Sequence, residues 1–197
     1  MTWPDPVTLT GSHAVLAPLA PEHAEGLAEA VKDGEVWRLW YTRVPPPDEM
    51  AANIDWRLGR QAAGWMLPFV VLEPDGLKPA GMTTYCNIDA QHRRVEIGYT
   101  WYRAGVRRTA LNTECKLMLL SHAFDMLDCI AVELRTNAFN TASRRAIERL
   151  GAKLDGVLRN HQRNDDGTLR DTYVYSIVAS EWPTVRRHLE WQLERPR

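Results

Sequence analysis

Apolar and polar residues follow two different periodicities along the chain, and the changes between them predict the order of strands and helices. An apolar run at 13–19 predicts a first strand, and the stretch opened by Pro21 has apolar residues every three to four positions, which predicts a helix. A second helix is predicted after the prolines at 45–47, with Asp48 as its N-cap and Gly64 at its end. The chain therefore begins as strand, helix, helix.

The rest of the chain predicts a mixed set of strands and helices. Three strands are predicted in succession, and antiparallel pairing is their simplest connection; they lie at 67–72, 80–88 and 95–102. The remaining elements alternate: a helix at 112–127, a strand at 129–134, a helix at 141–150, strands at 154–158 and 172–178, and a last amphipathic helix that starts near Trp182. This order is typical of an α/β or α+β protein with a mixed sheet covered by helices.

Length and charge narrow the class of protein. A chain of 197 residues is long enough for one good core, so we expect a single domain over 1–197. Its 24 basic and 25 acidic side chains give a net charge of -1. Because binding to phosphate backbones usually requires a strong basic excess, nucleic acid is not expected as a main partner.

Cysteine usage and apolar run length predict the compartment. Cys86, Cys115 and Cys129 are odd in number and form no C-x-x-C pair, as expected for free thiols in a reducing compartment. The first residues lack the basic start and apolar centre of a signal peptide, and the longest apolar run, 117–124, is far shorter than the ~20 residues of a membrane-spanning helix. We expect a cytoplasmic protein without a membrane partner.

Common catalytic and metal-binding motifs are missing from the sequence. The six histidines show no ligand spacing with one another or with a cysteine pair, so no metal is predicted. The motifs G-x-S-x-G, G-x-G-x-x-G and H-E-x-x-H and the Walker phosphate loop are also lacking. None of these motifs identifies a catalytic site in this sequence.

The segment that leads from the strand at 95–102 into the helix at 112–127 predicts a phosphate site. The first turn of a helix has unpaired N–H groups and a partial positive charge, and Arg107 and Arg108 add full charges beside it. A pyrophosphate fits such a turn. The alternative is a solvated connection whose arginines only cover the surface.

Two segments resemble one known family. Residues 107–114 resemble the acetyl-CoA signature of the GNAT acetyltransferases, in the form used by the ribosomal-protein N-terminal acetyltransferase branch (RimJ/RimL-like). Arg107 matches the first position of this signature. Ala110 stands where the family has Gly, and Asn112 stands where the family has Gly or Ala. Downstream, 137–151 resembles the family's Asn-x-x-Ser helix that ends in Leu-Gly.

The resemblance implies a fold and a co-substrate. The fold would be the GNAT fold, a mixed, mostly antiparallel sheet of about seven strands splayed near its middle, with helices on both faces and an added C-terminal helix. The co-substrate would be acetyl-CoA, without a metal. The residues implied to contact it are Tyr99, Trp101, Tyr102, Arg103, Arg107, Arg108, Thr109, Ala110, Leu111, Asn112, Thr113, Asn140 and Ser143.

Asn140 and Ser143 have a second interpretation. They are three positions apart in a helix and share a face, so both can reach a ligand that lies along it. The resemblance implies that the pantetheine arm lies there. Asn140 could instead be only the N-cap of its helix, with Ser143 as a polar residue of the first turn.

Acetyl transfer to an amine requires a proton acceptor and a donor for the leaving thiolate. Strict alternation along the strand at 95–102 would place Glu96, Gly98 and Thr100 on one face and Val95, Ile97, Tyr99 and Trp101 on the other. Glu96 is the candidate base and Ser143 the candidate donor. The alternative for Glu96 is an ion pair with Arg93 or Arg94 on the sheet surface.

The acceptor would be a primary amine, either of a protein N-terminus or of a small molecule. Its candidate contacts are Trp37, Trp40, Tyr41 and His161, although the tryptophans could equally pack into the core. A second hypothesis is a non-catalytic CoA-sensing or partner-binding module with an altered pyrophosphate turn. The eight tryptophans, including Trp182 and Trp191, also suggest a homodimer interface.

Overall fold

A computed structural model describes residues 3–164 and 166–195, and within them eight strands form one sheet in the order β1-β2-β3-β4-β5-β6-β8-β7. The strands are β1 Leu9–Thr10, β2 Val15–Pro18, β3 Met66–Leu72, β4 Pro79–Asp89, β5 Arg94–Tyr102, β6 Ala131–Asn137, β7 Lys153–Arg163 and β8 Leu169–Val178. Neighbouring strands are antiparallel except for β5 and β6. The predicted mixed, mostly antiparallel sheet is confirmed, with the two-residue β1 as an additional strand.

The sheet is splayed between β5 and β6. Their parallel pairing runs from Arg94 opposite Ala131 to Glu96 opposite Glu133. Beyond that point β5 continues to Tyr102 and β6 to 137, with no ladder pair between them in the described backbone. The two strands therefore diverge toward their C-terminal ends.

Helices cover both faces of the sheet, as predicted. The five helices are α1 Ala24–Lys32, α2 Met50–Ala62, α3 Leu111–Ser121, α4 Thr141–Arg149 and α5 Trp182–Glu194. One apolar core lies under α1 and α2, around Leu27 and Ile54, and the other lies under α3, α4 and α5, around Leu119 and Leu189. Among the described residues, no helix is both long and apolar enough to cross a membrane.

Two predicted helix boundaries differ from the structure. Asp48 lies in a 3-10 turn, Pro47–Glu49, and α2 begins after it without a side-chain cap, so its prediction as the N-cap is wrong. The helix predicted at 112–127 ends as an α-helix at Ser121 and continues as one wider π-helical turn, His122–Met126. The apolar periodicity continues through this turn, so it did not reveal the change.

A β-bulge at Tyr99 reverses the alternation of β5. Met82 of β4 pairs with Trp101 whereas Thr84 pairs with Gly98, so Thr83 opposes two residues. Tyr99 adopts a left-handed backbone with φ 49°. As a result, Trp101 packs in the core of α1 and α2, opposite to Val95 and Ile97. Placing all of these on one face by strict alternation was therefore wrong.

Glu114 connects α3 to the start of the chain. Its carboxylate accepts backbone N–H groups from Ser12 at 2.9 Å, His13 at 2.5 Å and Ala14 at 2.9 Å. Charge-assisted hydrogen bonds of this kind are about twice as strong as neutral ones. These hydrogen bonds hold the β1–β2 turn against α3. They thereby fix the position of the helix that follows the turn at 107–110.

Candidate active site

The divergence of β5 and β6 opens a cleft of about 1470 Å³. Its walls come from the second half of β5, the turn before α3, one side of α4 and the segment between Val36 and Val44. A site for one small ligand typically has ~300–1,000 Å³, so this cleft has room for two substrates.

Most of the predicted site residues line this cleft. From β5 and the following turn these are Glu96, Tyr99, Trp101, Tyr102, Arg107, Arg108, Thr109 and Asn112. Asn140, Ser143, Tyr41 and His161 line it from other parts of the chain. Residues from four separate segments are thus brought together at the splay.

Four residues predicted to contact the co-substrate lie outside the cleft lining: Ala110, and the three residues Arg103, Leu111 and Thr113. The Arg103 guanidinium is 2.7 Å from the Glu73 carboxylate and 3.6 Å from that of Asp33, so it ties β5 to neighbouring loops. Leu111 is buried in the core under α3, and Thr113 is fully buried. Through their side chains, all three support the turn from behind.

The turn before α3 accommodates Ala110 without strain. Ala110 has φ −66° and ψ −26°, which is right-handed helical geometry in which any residue fits. The left-handed position is taken by Arg108, with φ 63°. Arg107 donates from both Nε and Nη2 to the carbonyl oxygen of Tyr102, each at 3.1 Å. The turn is therefore closed on itself, with Arg108 lining the cleft.

Glu96 is a buried carboxylate at the narrow end of the splay. It is 8% exposed, and its Oε2 accepts a hydrogen bond from Asn87 Nδ2 at 2.6 Å. Burial raises its pKa, an effect that Asn87 and Arg135 partly offset. Arg135 Nε lies 3.4 Å away, so the ion-pair partner is Arg135, not Arg93 or Arg94 as the alternative interpretation held. A carboxylate of this kind holds a proton more readily than an exposed one.

Lys116 is a cleft residue that the sequence did not reveal. Its ammonium lies 3.0 Å from Thr100 Oγ1 and 3.5 Å from Thr83 Oγ1, and burial lowers its pKa to about 8. Thr100 reaches it because the Tyr99 bulge turns that side chain toward α3. In the sequence, Lys116 lies in an ordinary helical segment, and nothing there marks it as buried.

Three arginines that the sequence also did not reveal line the cleft at the end where Glu96 lies. Arg43 comes from the loop before the prolines, Arg135 from β6 and Arg170 from β8. Arg170 Nε donates to Thr172 Oγ1 at 3.2 Å, and the same oxygen lies 3.1 Å from His161 Nδ1. Three distant segments meet here, so no local motif could have found this group.

At the start of α4, Asn140 is an N-cap that also lines the cleft. Its Oδ1 accepts the backbone N–H of Ser143 at 3.0 Å. The N-cap alternative therefore describes the side chain of Asn140 correctly. The Ser143 hydroxyl is half-buried on the same wall, on the first turn of α4.

The predicted acceptor aromatics separate into different roles. Trp37 packs against the core of α1 and α2, as its alternative interpretation held. Trp40 is 56% exposed and contacts Tyr41, with ring centroids 5.6 Å apart, and Phe139, at 5.4 Å. Because Phe139 directly precedes α4, Trp40 connects two walls of the cleft at its rim.

Helix α5 contributes the far end of the cleft. Arg149 of α4 donates to Gln192 Oε1 at 2.8 Å, and both residues line the cleft together with Trp191. Trp182 is instead buried, with its ring stacked on Phe124 at 5.3 Å. Trp182 is therefore unavailable to a dimer interface, and its part of that prediction is wrong. The apolar residues of α5 predicted the helix, but they did not predict that polar residues of this helix, such as Gln192, line the cleft.

The described residues, 3–164 and 166–195, contain no group of three or more His, Cys, Asp or Glu side chains placed to hold a metal ion. The cleft is lined by the Glu96 carboxylate, by cationic side chains and by the open edges of two strands. Such a site suits a phosphate-bearing ligand together with a group that gives up a proton.

Comparisons with known proteins agree with this arrangement. The family described as Acetyltransferase (GNAT) domain matches residues 13–153. The "Putative ribosomal N-acetyltransferase YdaF" of Bacillus subtilis (strain 168) is 28% identical over 176 residues, which cover 86% of this chain and 93% of that protein. A GCN5-related N-acetyltransferase from Brucella melitensis superposes with a TM-score of 0.85 at 26% identity, over 96% of this chain and 86% of that one.

The fold is also shared with Mycobacterium smegmatis RimJ, solved in complex with CoA-disulfide. The TM-score is 0.78 at 22% identity, over 97% of this chain and 96% of that one. The matched family spans the splayed strands, α4 and the turn before α3, which form much of the cleft, whereas β7, β8 and α5 complete it. The chain belongs to the GNAT family of N-acetyltransferases.

Proposed function

We propose that this acetyltransferase moves the acetyl group of acetyl-CoA to the primary amine of a protein N-terminus or of a small molecule, by direct attack within a ternary complex. The carrying observation is the cleft itself. It has a helix N-terminus with Arg107 and Arg108 on one side of the splay and a buried carboxylate, Glu96, at its narrow end.

The residues present fit a CoA ligand. The right-handed backbone of Ala110 accommodates its methyl group without distortion of the turn. Lys116 is a buried cation whose described hydrogen-bond partners are neutral hydroxyls, as expected where an anionic or polar ligand completes the site. The side chains that would hold the ligand are Tyr99, Trp101, Tyr102, Arg107, Arg108, Thr109, Asn112, Asn140 and Ser143, with first-turn N–H groups of Asn112 and Thr113; the Leu111 N–H already donates to Thr109 Oγ1.

When bound, acetyl-CoA supplies an activated thioester, so the protein needs mainly to orient the amine and to move protons. Glu96 accepts the proton of the incoming amine, directly or through water, because a raised pKa makes its carboxylate a better proton acceptor. Ser143 donates a hydrogen bond from its hydroxyl to the departing sulfur. Backbone N–H groups on the open edge of β5, beyond Glu96, are available to a carbonyl oxygen.

The acceptor enters between the segment from Val36 to Val44 and the β7–β8 hairpin. Tyr41 and His161 line the cleft at the end where Glu96 lies, and Trp40 stands at its rim. Trp37 acts from behind, by packing the segment from Val36 onward against the core. We therefore assign acceptor contact to Tyr41, His161 and Trp40.

The compartment and the assembly are part of the same proposal. Cys86, Cys115 and Cys129 are all free and buried, which suits the reducing cytoplasm. A homodimer would have to use exposed apolar residues such as Trp65, which is 61% exposed. Sedimentation at micromolar concentration tests this, and a monomeric mass would refute it.

The experiment that tests the function combines binding with turnover. Calorimetry should show binding of acetyl-CoA, and an amine panel should release free CoA thiol. An Arg108→Gln variant should bind acetyl-CoA more weakly, whereas Arg187→Gln, on the outer face of α5, should not. A protein that binds no acetyl-CoA at millimolar concentration would refute the proposal, and one that binds it but acetylates no amine would be a CoA-binding module.

A further inference from the structure

The acceptor end of the cleft has more positive than negative charge. Arg43, Arg135 and Arg170 all line it, whereas Glu96 is the carboxylate among its lining residues at this end. The arginines come from a loop, from β6 and from β8, so three separate elements place a guanidinium group here. Positive charge from three parts of the fold is thereby concentrated at one end of the cleft.

One of the three arginines is neutralised within the protein. Arg135 Nη2 lies 2.7 Å from a Glu133 oxygen, and its Nε lies 3.4 Å from Glu96. Arg135 therefore serves the carboxylates of β5 and β6. It supports Glu96 and leaves little charge for a ligand.

The other two arginines differ from Arg135 in their partners. Among residues 3–164 and 166–195, neither Arg43 nor Arg170 forms an ion pair, and the hydrogen bond of Arg170 goes to the neutral hydroxyl of Thr172. Burial and the charge of Arg43 both lower the pKa of Arg170, and the charge of Glu96 offsets part of this effect, so the two guanidinium groups are close enough to repel each other. Two like charges in one cleft are unfavourable unless an anion joins them.

We propose that the acceptor carries a carboxylate near the amine that is acetylated, and that Arg43 and Arg170 bind this carboxylate. The inference rests on the proposed function, because it concerns the second substrate of that reaction. A guanidinium matches the planar geometry of a carboxylate and binds it with two parallel hydrogen bonds. The carboxylate could be an acidic side chain beside a protein N-terminus or the α-carboxylate of a free amino acid.

The same charges disfavour other amines. A polyamine or an aminoglycoside would bring additional positive charge next to Arg43 and Arg170, and like charges at an interface suppress binding. Glu96 is a single carboxylate that also pairs with Arg135, so it offsets only part of that charge. The site should therefore select anionic acceptors against polycations.

The experiment compares matched acceptors. Peptides that begin Ser-Asp, Ser-Asn or Ser-Lys, free aspartate, its diamide and spermidine are assayed with acetyl-CoA for release of thiol. We expect kcat/KM to be about tenfold higher for Ser-Asp than for Ser-Asn if the carboxylate belongs to a peptide, or for aspartate than for its diamide if it belongs to an amino acid. Spermidine and Ser-Lys should be the poorest acceptors, and salt should raise the KM of the acidic one.

Variants identify the residues responsible. Arg43→Gln and Arg170→Gln should each reduce the ratio of acidic to neutral acceptor toward one, whereas Arg187→Gln, outside the cleft, should preserve it. Equal rates for acidic and neutral acceptors in the unmodified protein would overturn the inference but leave the proposed function intact. Acetylation of none of the acceptors would overturn both.

Discussion

Replacement of Glu96 by glutamine is the sharpest test of the mechanism. The side chain keeps its shape, and the amide can still contact Asn87, but it can no longer accept a proton from the amine. Arg135 retains its second partner, Glu133, at 2.7 Å. The substitution therefore removes the base while most of its surroundings are preserved.

The expected loss of activity depends on pH. A positioned general base contributes typically ~10²–10⁴ in rate. At pH 7 about a tenth of α-amino groups are already neutral, because their pKa is about 7.7–8.0. We therefore expect Glu96→Gln to lower kcat/KM about 100-fold at pH 7, near the low end of that range. Above pH 8.5 the deficit should shrink, since the free amine then needs less help.

The fold should tolerate this substitution. Burial raises the pKa of Glu96, so the folded protein prefers the protonated carboxyl, and stability falls as pH rises from the unfolded pKa of about 4.3 through the raised value. At pH 7 the buried, ionised Glu96 side chain lowers the free energy of unfolding, and glutamine removes this unfavourable contribution. The urea unfolding free energy of Glu96→Gln at pH 7 should equal or exceed that of the unmodified protein.

The matched control is Glu133→Gln, which removes a carboxylate that pairs with the same arginine but does not line the cleft. Its kcat/KM should stay within about threefold of the unmodified value, because no substrate proton passes through it. If Glu96→Gln retains more than half of the activity at pH 7 with the same pH profile, Glu96 is only an ion-pair partner of Arg135. Equal losses in both variants would indicate that the arginine, not the base, is what matters.

Three further substitutions test other parts of the site. Lys116→Met should raise the unfolding free energy at pH 7 by roughly 2 kcal/mol, because the pKa of Lys116 is about 8 in the folded protein and 10.5 in the unfolded chain, so protonation disfavours folding. This gain should shrink as pH rises from 8 to 10, and a gain that does not change with pH would contradict the prediction. Glu114→Gln should lower the unfolding free energy by about 2–3 kcal/mol, because three backbone N–H groups lose a charged acceptor; an unchanged Tm would contradict this. Ser143→Ala should lower kcat about tenfold with less change in acetyl-CoA affinity, because its backbone N–H still bonds to Asn140; an equal loss in both would assign Ser143 to binding alone.

Local patterns were sufficient to predict most elements of the fold. The helix that follows Pro21 and the three strands after Gly64 were placed within a few residues, because each buries an apolar face that repeats at its own period. The turn at 107–112 was located by its basic residues between a strand and a helix. These features depend on neighbours in the sequence, so the sequence alone contains them.

The cationic residues of the cleft depend on distant partners and were not predictable in the same way. Arg170 and Arg43 are more than a hundred positions apart, and Lys116 meets Thr83 and Thr100 only after the sheet has formed. In a pattern of apolar and polar residues, a lysine or an arginine is read as a solvated side chain. Its burial becomes visible only with the fold.

The bulge at Tyr99 shows why the site itself was harder to predict than the sheet around it. Arg57 of α2 is 1% exposed, and burial lowers its pKa to about 10. It donates to Thr84 at 2.9 Å and lies over the Tyr99 ring at 5.1 Å, so a buried cation faces the residue whose backbone is left-handed. The bulge is thus specified by a helix, a neighbouring strand and β5 together. The bulge also turns Thr100 toward Lys116 and so arranges polar groups of the cleft. The pattern of apolar and polar residues does not predict this bulge.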